Sequence, residues 1–357
     1  MIQRTAPEYG LAPAAYQDPG WYAMEQDALF ASQWSLVGAV DDLTRPGDYL
    51  TATVGRAPLV IICSEDGVIR AFHNLCRHRG MVMLAGAGNV GSAIKCFYHQ
   101  WRYSTAGPLE VVPQRKEQFP NLDLDDLGLL PASVTTWEGM VFAHPDPHAT
   151  PLADLLGELP SHLGSHRPGL LRQVATAHID AGCNWKLLIE NHVDVYHLWY
   201  LHGDSLGDFD HTRFEHHQLD ANWASYEPAR GAVAEAALMT GTTPIRHLDQ
   251  RDRNGLGAHL LFPNTMMASS AEFFATYVAH PVAPDRTRIE LRIRAEEEAD
   301  PAKLLRAVRS FIEEDVSACE AIQLAIASPS FTVGPLALDH EAPIAAFHHQ
   351  ILEAVGR

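Results

Sequence analysis

The 357-residue sequence predicts an α+β fold in two parts: a β-rich first region, then a region where antiparallel strands accompany long helices. Three observations predict it. After the turn signal RPGDY, short apolar runs at Thr51–Val54, Pro58–Cys63 and Val68–His73 are broken by Gly, Pro and acidic residues, and this texture continues to Val134–His144. The segment PDPHATP, residues 145–151, is dense in turn formers and reads as a boundary. Beyond it, charged and apolar residues alternate over Arg288–Arg294, and Asp300-Pro301 supplies an N-cap and a first helical residue for a long helix over Pro301–Ala327.

The remaining elements follow in order. Residues 20–36 have helical periodicity, with Tyr22, Leu29, Phe30 and Trp34 on the candidate core face. In the second region Leu170–Ile179 is expected as a strand, Asn184–Tyr200 as a helix, and Ala258–Met267 and Glu272–His280 as strands. The expected organisation is a helical segment 1–36 packing on the second domain, a β-domain 37–150 and an α+β domain 151–357. No internal repeat interrupts it.

Composition narrows the class. Hydrophobic residues make up 46% and charged residues 20%, ordinary for a globular protein. The formal charge of −18 argues against general affinity for nucleic acid or an anionic membrane surface. No apolar run approaches the ~18 residues of a membrane span. The start, MIQRTAPEYG, lacks the apolar stretch of a secretory signal. Five cysteines are too few and odd in number for a disulfide framework. A cytoplasmic location is therefore expected, where clustered Cys and His point to a metal rather than a crosslink. Among 20 histidines only spacing is informative.

Two constellations have such spacing. The first joins Cys76-Arg-His78-Arg-Gly80 to Cys96-Phe-Tyr-His99-Gln-Trp101, each segment supplying one thiolate and one imidazole. These donors suit a structural zinc site, and equally a [2Fe-2S] cluster in which two His replace two Cys on one iron. Donor types alone do not separate the two. Gly80 is expected to let the backbone approach the site, and Phe97, Tyr98, Trp101 and Tyr103 to exclude water. His73, just upstream, reads as an ordinary strand-end residue.

The second constellation lies in ENHVDVYHLWYLH. Asp194 and His197 are three apart and share a face of the expected helix. His202 fits if the helix ends or distorts near Gly203, a reasonable C-cap. Two imidazoles and one carboxylate form the facial triad of O2-activating Fe(II) enzymes. Glu313, Glu314, Asp315 and Glu320 all offer a carboxylate on the 301–327 helix, and spacing does not choose among them. Glu190 competes with Asp194 but lies two turns from His197. Glu313 and Glu314 are expected to be solvated or capping charges.

NLCRHRG followed by CFYHQWRYSTAGPL resembles the cluster motif of Rieske non-haem iron oxygenases of the aromatic ring-hydroxylating type, alpha subunit. The likeness extends through WSLVGAVDDLTRPGDY, DGVIRAFHN and WEGMVFAH, and ENHVDVYHLWYLH is similar to that family's mononuclear-iron motif. The resemblance implies that Cys76 and Cys96 bind one iron of a Rieske cluster and His78 and His99 the other. It implies His197, His202 and Asp315 as ligands of a mononuclear Fe(II), and it selects Asp315 from the acidic set. Asp194 is then expected to hold His197 and to reach a Rieske histidine of a neighbouring subunit, with Asn191 near the iron. The implied fold is a small Rieske β-domain and a catalytic domain whose curved antiparallel sheet grips a long helix, the START-like arrangement.

The implied chemistry is hydroxylation of a small organic, aromatic molecule with O2. Quaternary ammonium hydroxylation and N- or O-demethylation use the same machinery. The chain lacks a GxGxxG fingerprint in a βαβ context and a plant-type ferredoxin cysteine set. Electrons from NAD(P)H are therefore expected through a separate flavin/iron–sulfur reductase, with or without a ferredoxin. A head-to-tail homotrimer is implied, and the length favours alpha subunits alone. Other classes, a Rieske electron carrier or a zinc-stabilised binding protein, leave the second constellation without a role. Trp199, Leu206, Phe209, Phe214, Leu261, Met266, Met267 and Phe274 are candidate pocket walls.

Overall fold

A computed structural model describes residues 8–202, 209–217, 222–230, 240–253 and 255–356. They form two compact units, Gln26–Leu152 and Met1–Glu25 with Ala153–Arg357. Residues 26–36, expected with the leading segment, fall in the first of these. Gly55 shows why: with φ +58, a Cβ there would lie 2.6 Å from the Gln26 carbonyl oxygen, so the 26–31 segment rests directly on this turn. The helical run is also irregular, with α-helix at Pro19–Met24, a π-helical turn at Glu25–Leu29 and a 3-10 turn at Phe30–Ser32.

The Gln26–Leu152 unit contains β1 (Ser35–Ala39), β2 (Asp48–Val54), β3 (Ala57–Cys63), β4 (Ile69–His73), β5 (Ala87–Asn89), β6 (Ala93–Lys95), β7 (Arg102–Ser104), β8 (Leu109–Val111), β9 (Pro131–Trp137) and β10 (Met140–His144). Seven of these form one sheet, ordered β1-β10-β9-β4-β3-β2-β5, and β6-β7-β8 form a second. β3 is apolar throughout because both faces are buried. Leu59, Ile61 and Cys63 join one core, while Val60 and Ile62 join another that also contains Cys76, Cys96, Trp101 and Tyr103. That second core carries the first constellation. His73 ends β4 with its Nε2 3.1 Å from the Pro145 carbonyl, an ordinary strand-end contact.

The other unit is built on β11 (Arg172–Ala181), β12 (Phe209–His217), β13 (Trp223–Arg230), β14 (Gly257–Leu261), β15 (Thr265–Ser269), β16 (Phe274–Ala283) and β17 (Arg286–Ala295). They form a single antiparallel sheet ordered β11-β17-β16-β15-β14-β13-β12. The expected run Ala258–Met267 is two strands, because Pro263 offers no donor and the chain turns there. The helix Pro301–Ile326 buries Leu304, Val308, Ile312, Val316, Cys319 and Ile326, one stripe at helical spacing. Asp300 caps it, accepting from the backbone N–H of Ala302 and Lys303. It packs on β11 and on the helix Trp185–Val193, which in turn lies against β14 and β16.

The leading segment closes over this unit through a buried ion pair with no sequence signal. Lys186 Nζ lies 2.6 Å from Glu25 Oε1, and both side chains are fully buried. The Trp21 and Trp185 indoles also donate to the Glu25 carboxylate, at 3.0 and 2.9 Å. Lys186 sits over the rings of Tyr16 and Trp185, 5.4 and 5.3 Å from their centroids. Among the described residues no helix is long and apolar enough to cross a membrane.

Candidate metal centres

Two loops of one plan present the first constellation. In one, the Cys76 N–H donates to Met81 O at 2.8 Å and the Gly80 N–H to Cys76 O at 2.9 Å. In the other, Cys96 N–H donates to Trp101 O at 2.9 Å and Gln100 N–H to Cys96 O at 2.9 Å. Gly80 and Gln100 occupy matching left-handed positions, φ +71 and +59. Nothing lies within 4 Å of a Cβ built on Gly80, so its value is the dihedral and not the close backbone approach expected from the sequence. Cys76 and Cys96 are buried. His78 Nδ1 and His99 Nδ1 face each other at 3.1 Å. Burial first, then the charges of His99 and Arg79, lowers the His78 pKa and favours the neutral ring a metal needs.

The surroundings support that set. Trp101 stacks on His78 with centroids 4.9 Å apart, and Phe119 meets His78 edge-on at 5.9 Å. The Tyr103 hydroxyl lies 3.3 Å from Cys76 Sγ and accepts from the Arg77 N–H at 2.9 Å. Phe97 and Tyr98 are exposed, so they do not seal the site from water as expected. The four donors do not converge on one ion. A zinc with bonds of about 2.0–2.3 Å would draw all four donors to within about 4 Å of one another. Among the described residues the one group of three or more donors within 4.8 Å is elsewhere. Two facing imidazoles and two buried thiols suit a two-iron cluster.

That other group is His197, His202 and Asp315. The expected helix Asn184–Tyr200 is broken at its centre: it ends at Val193, and a short turn Leu198–Leu201 follows. Asp194 is extended, φ −81 and ψ 120, because its Oδ1 accepts from the Tyr196 N–H at 2.6 Å and replaces the helical bond. Its Oδ2 lies 3.1 Å from His197 Nδ1. Asp194 and His197 therefore meet across a turn, not along one helix face. His202 follows the short turn and is buried; the Gly203 expected as its cap lies outside the described residues.

One carboxylate holds the far side of each imidazole. Asp194 faces His197 Nδ1, and Glu314 Oε2 lies 2.8 Å from His202 Nδ1. With hydrogens on Nδ1, both Nε2 lone pairs are available for a shared centre. Asp315 Oδ1 is 2.9 Å from His202 Nε2 and 3.7 Å from His197 Nε2. This oxygen is buried yet makes no aligned hydrogen bond, as befits an oxygen aimed at a cation. Burial alone would lower the His202 pKa, but Asp315 and Glu314 outweigh it and raise it, so a cation here competes with a proton. Two imidazoles and one carboxylate on one side, with open positions on the other, fit a non-haem iron.

The acidic candidates thus separate. Glu313 pairs with Arg309, as a solvated charge should, and Glu320 accepts from the Gly182 N–H at 2.7 Å. Glu190 accepts from Tyr16 OH at 2.7 Å and from His348 Nε2 at 2.9 Å, away from the triad. Glu314, expected as a solvated or capping charge, instead holds His202, a role that sequence reasoning missed. It and Asp315 are adjacent on one helix and clasp the two nitrogens of one ring. Glu314→Gln is expected to leave the fold intact and weaken iron binding about 10–100-fold, measured by competition with a ferrous chelator; unchanged affinity would deny it this role.

The triad borders a cavity of about 70 Å³ whose walls include Leu198, Leu256, Ala258, Ala268, Tyr277 and Phe311, with Asn191 and His192 adding polar groups. Leu261, Met266, Met267 and Phe274, expected as walls, are instead core. Register explains three of them. Leu261, Met267 and Phe274 have the opposite parity to Ala258, Ala268 and Tyr277 and so point to the other face of the sheet. The side chains of Trp199, Leu206, Phe209 and Phe214 lie outside the described residues. On its other side Asp194 opens, with Asn191 and His197, onto a groove of about 580 Å³ flanked by Tyr196 and Tyr200.

Family models match both regions of the chain. Residues 33–134 match the Rieske [2Fe-2S] domain, and residues 169–357 match the ring hydroxylating alpha subunit (catalytic domain). The glycine betaine monooxygenase oxygenase subunit of Chromohalobacter salexigens is 31% identical over 215 residues, covering 59% of this chain and 48% of that protein. The benzene 1,2-dioxygenase subunit alpha of Pseudomonas putida is 36% identical over 197 residues, covering 52% and 42%. The match thus spans less than half the length of either relative. The crystal structure of the quaternary ammonium Rieske monooxygenase CntA with L-carnitine superposes with a TM-score of 0.83 at 24% identity, covering 98% of this chain and 96% of that one, a likeness of fold.

Proposed function

The chain belongs to the family of ring-hydroxylating alpha subunits and carries a Rieske [2Fe-2S] domain, and on that premise we propose that it is the terminal oxygenase of a multicomponent system acting on a small, largely apolar aromatic molecule. The observation that carries this reading is the His197–His202–Asp315 triad opening onto an apolar cavity. Among the described lining residues none is charged outside the triad, which suits a neutral ligand. A second reading, oxidation of a quaternary ammonium compound, is favoured by the Tyr277–Phe311 corner, whose rings meet at 78° with centroids 6.4 Å apart.

Cys76 and Cys96 would hold one iron of the cluster and His78 and His99 the other; His197, His202 and Asp315 would hold the mononuclear iron. When bound, the cluster supplies single electrons and the mononuclear iron supplies the place where O2 is reduced. The protein's part is positional. Asp194 and Glu314 fix both imidazoles, and the apolar walls keep bulk water from the reacting centre. Asn191 stands between cavity and groove and borders both. Asp194, on the groove side, would reach a Rieske histidine of a neighbouring subunit in a homotrimer. A separate flavin/iron–sulfur reductase, with or without a ferredoxin, would supply electrons from NAD(P)H.

Reconstituted protein with a surrogate reductase and isotopically labelled O2 is expected to give an aromatic product carrying the label, read by mass. Protein without acid-labile sulfide, or oxidation of quaternary amines alone, would overturn the first reading. Asp194→Asn is expected to retain both metals while turnover falls by about 10–100-fold or more, because the aimed carboxylate is lost but the ligands remain. Loss of the mononuclear iron, with normal electron transfer in the fraction that keeps it, would contradict that role.

A further inference from the structure

Among the polar groups lining the cavity beside the triad, the His192 ring is one that the metal assignments leave unused. His192 stands in the last turn of the helix Trp185–Val193 and lines that cavity. Its Nε2 lies 2.9 Å from the His259 carbonyl oxygen. A carbonyl only accepts, so Nε2 carries the ring hydrogen. The partner is rigid: His259 belongs to β14, paired in register with Met267, and its own ring is pinned by Ser225 Oγ at 2.7 Å and Ser269 Oγ at 3.2 Å. Burial keeps the His192 imidazole neutral, its pKa pushed down to about 4. The main chain of Met267, paired with His259, also lies near the ring.

In this tautomer Nδ1 is a bare acceptor. It makes no hydrogen bond with the described residues, and it is not among the sealed polar atoms of the interior. His192 retains accessible surface although it lies deep in its unit. The space onto which Nδ1 opens is therefore the cavity. An acceptor facing an apolar ligand loses its water and gains nothing, whereas one facing a donor recovers a hydrogen bond.

We propose that His192 Nδ1 is a specificity-determining acceptor that takes a hydrogen bond from an N–H or O–H group of the substrate. The preferred substrate is then a small aromatic molecule bearing such a donor, not a bare hydrocarbon. This rests on the reading of the cavity as the substrate site.

The test uses the holoprotein and three probes of similar size: phenol, aniline and toluene. Calorimetric titration is expected to show phenol and aniline binding about tenfold more tightly than toluene. In His192→Phe, which keeps a ring but removes the acceptor, that preference should shrink to about twofold or less, with toluene binding retained. His192→Leu serves if the Phe variant does not fold. Equal affinities in the wild type, no binding of phenol and aniline at millimolar concentration, or a preference that survives the substitution would each overturn the proposal. Iron and acid-labile sulfide are measured on the same samples. Full metal content without a donor preference sinks only the role of His192, whereas missing metal sinks the oxygenase reading whichever way the probes bind.

Discussion

Asp315→Ala is expected to strip the mononuclear iron while the absorption of the [2Fe-2S] cluster survives. Asp315 supplies the only carboxylate oxygen among the three converging donors. Removing it leaves two imidazoles and no anionic ligand, and affinity should fall by more than about 100-fold, beyond what loss of an orienting partner costs. The effect should be confined to the metal. Asp315 Oδ1 faces the two histidine Nε2 atoms, so the substitution bears chiefly on the donor set itself. Iron per chain, acid-labile sulfide and the visible spectrum read the outcome together. His197→Ala should behave alike. Undiminished iron in either variant would sink the ligand assignment.

Lys186→Ala is expected to destabilise its unit by about 3–5 kcal/mol, the effect of breaking a buried ion pair and leaving one charge unpaired. Its partner Glu25 sits at the end of the leading segment, fully buried, and would keep only the two indole donors. Burial lowers the Lys186 pKa while Glu25 opposes that shift, so charge and partner depend on each other. Urea unfolding reads the loss. The double change Glu25→Gln with Lys186→Met should recover much of it, since a buried pair replaced by matched uncharged groups is often neutral. A loss under about 1 kcal/mol for Lys186→Ala would show that water reaches the site.

The parts of the fold that could be read from sequence are those where neighbours in sequence are neighbours in space. β17 alternates because successive side chains face opposite sides, and the run Arg288–Arg294 shows it directly. Asp300-Pro301 marks a helix start because capping is local. The misreading of Asn184–Tyr200 as one helix has an equally local cause: Asp194 can satisfy the Tyr196 N–H with its own side chain, and a helical pattern does not reveal that choice. The pocket walls failed for a different reason. Apolar residues on a strand buried on both sides look alike in sequence, and only register tells Met267 from Ala268.

The sequence by itself determined the chemistry of the donors: two Cys-His loops, and two histidines in one short segment, since ligand type and spacing are properties of a few consecutive residues. Spacing left the carboxylate open and the family resemblance selected Asp315, but the tertiary structure alone placed Glu314 against His202. Glu314 reaches His202 across 112 positions, and Lys186 reaches Glu25 across 161. Contacts at such separations depend on the phase of a helix and the register of a sheet, which are fixed only when whole elements pack together, and no local pattern encodes them.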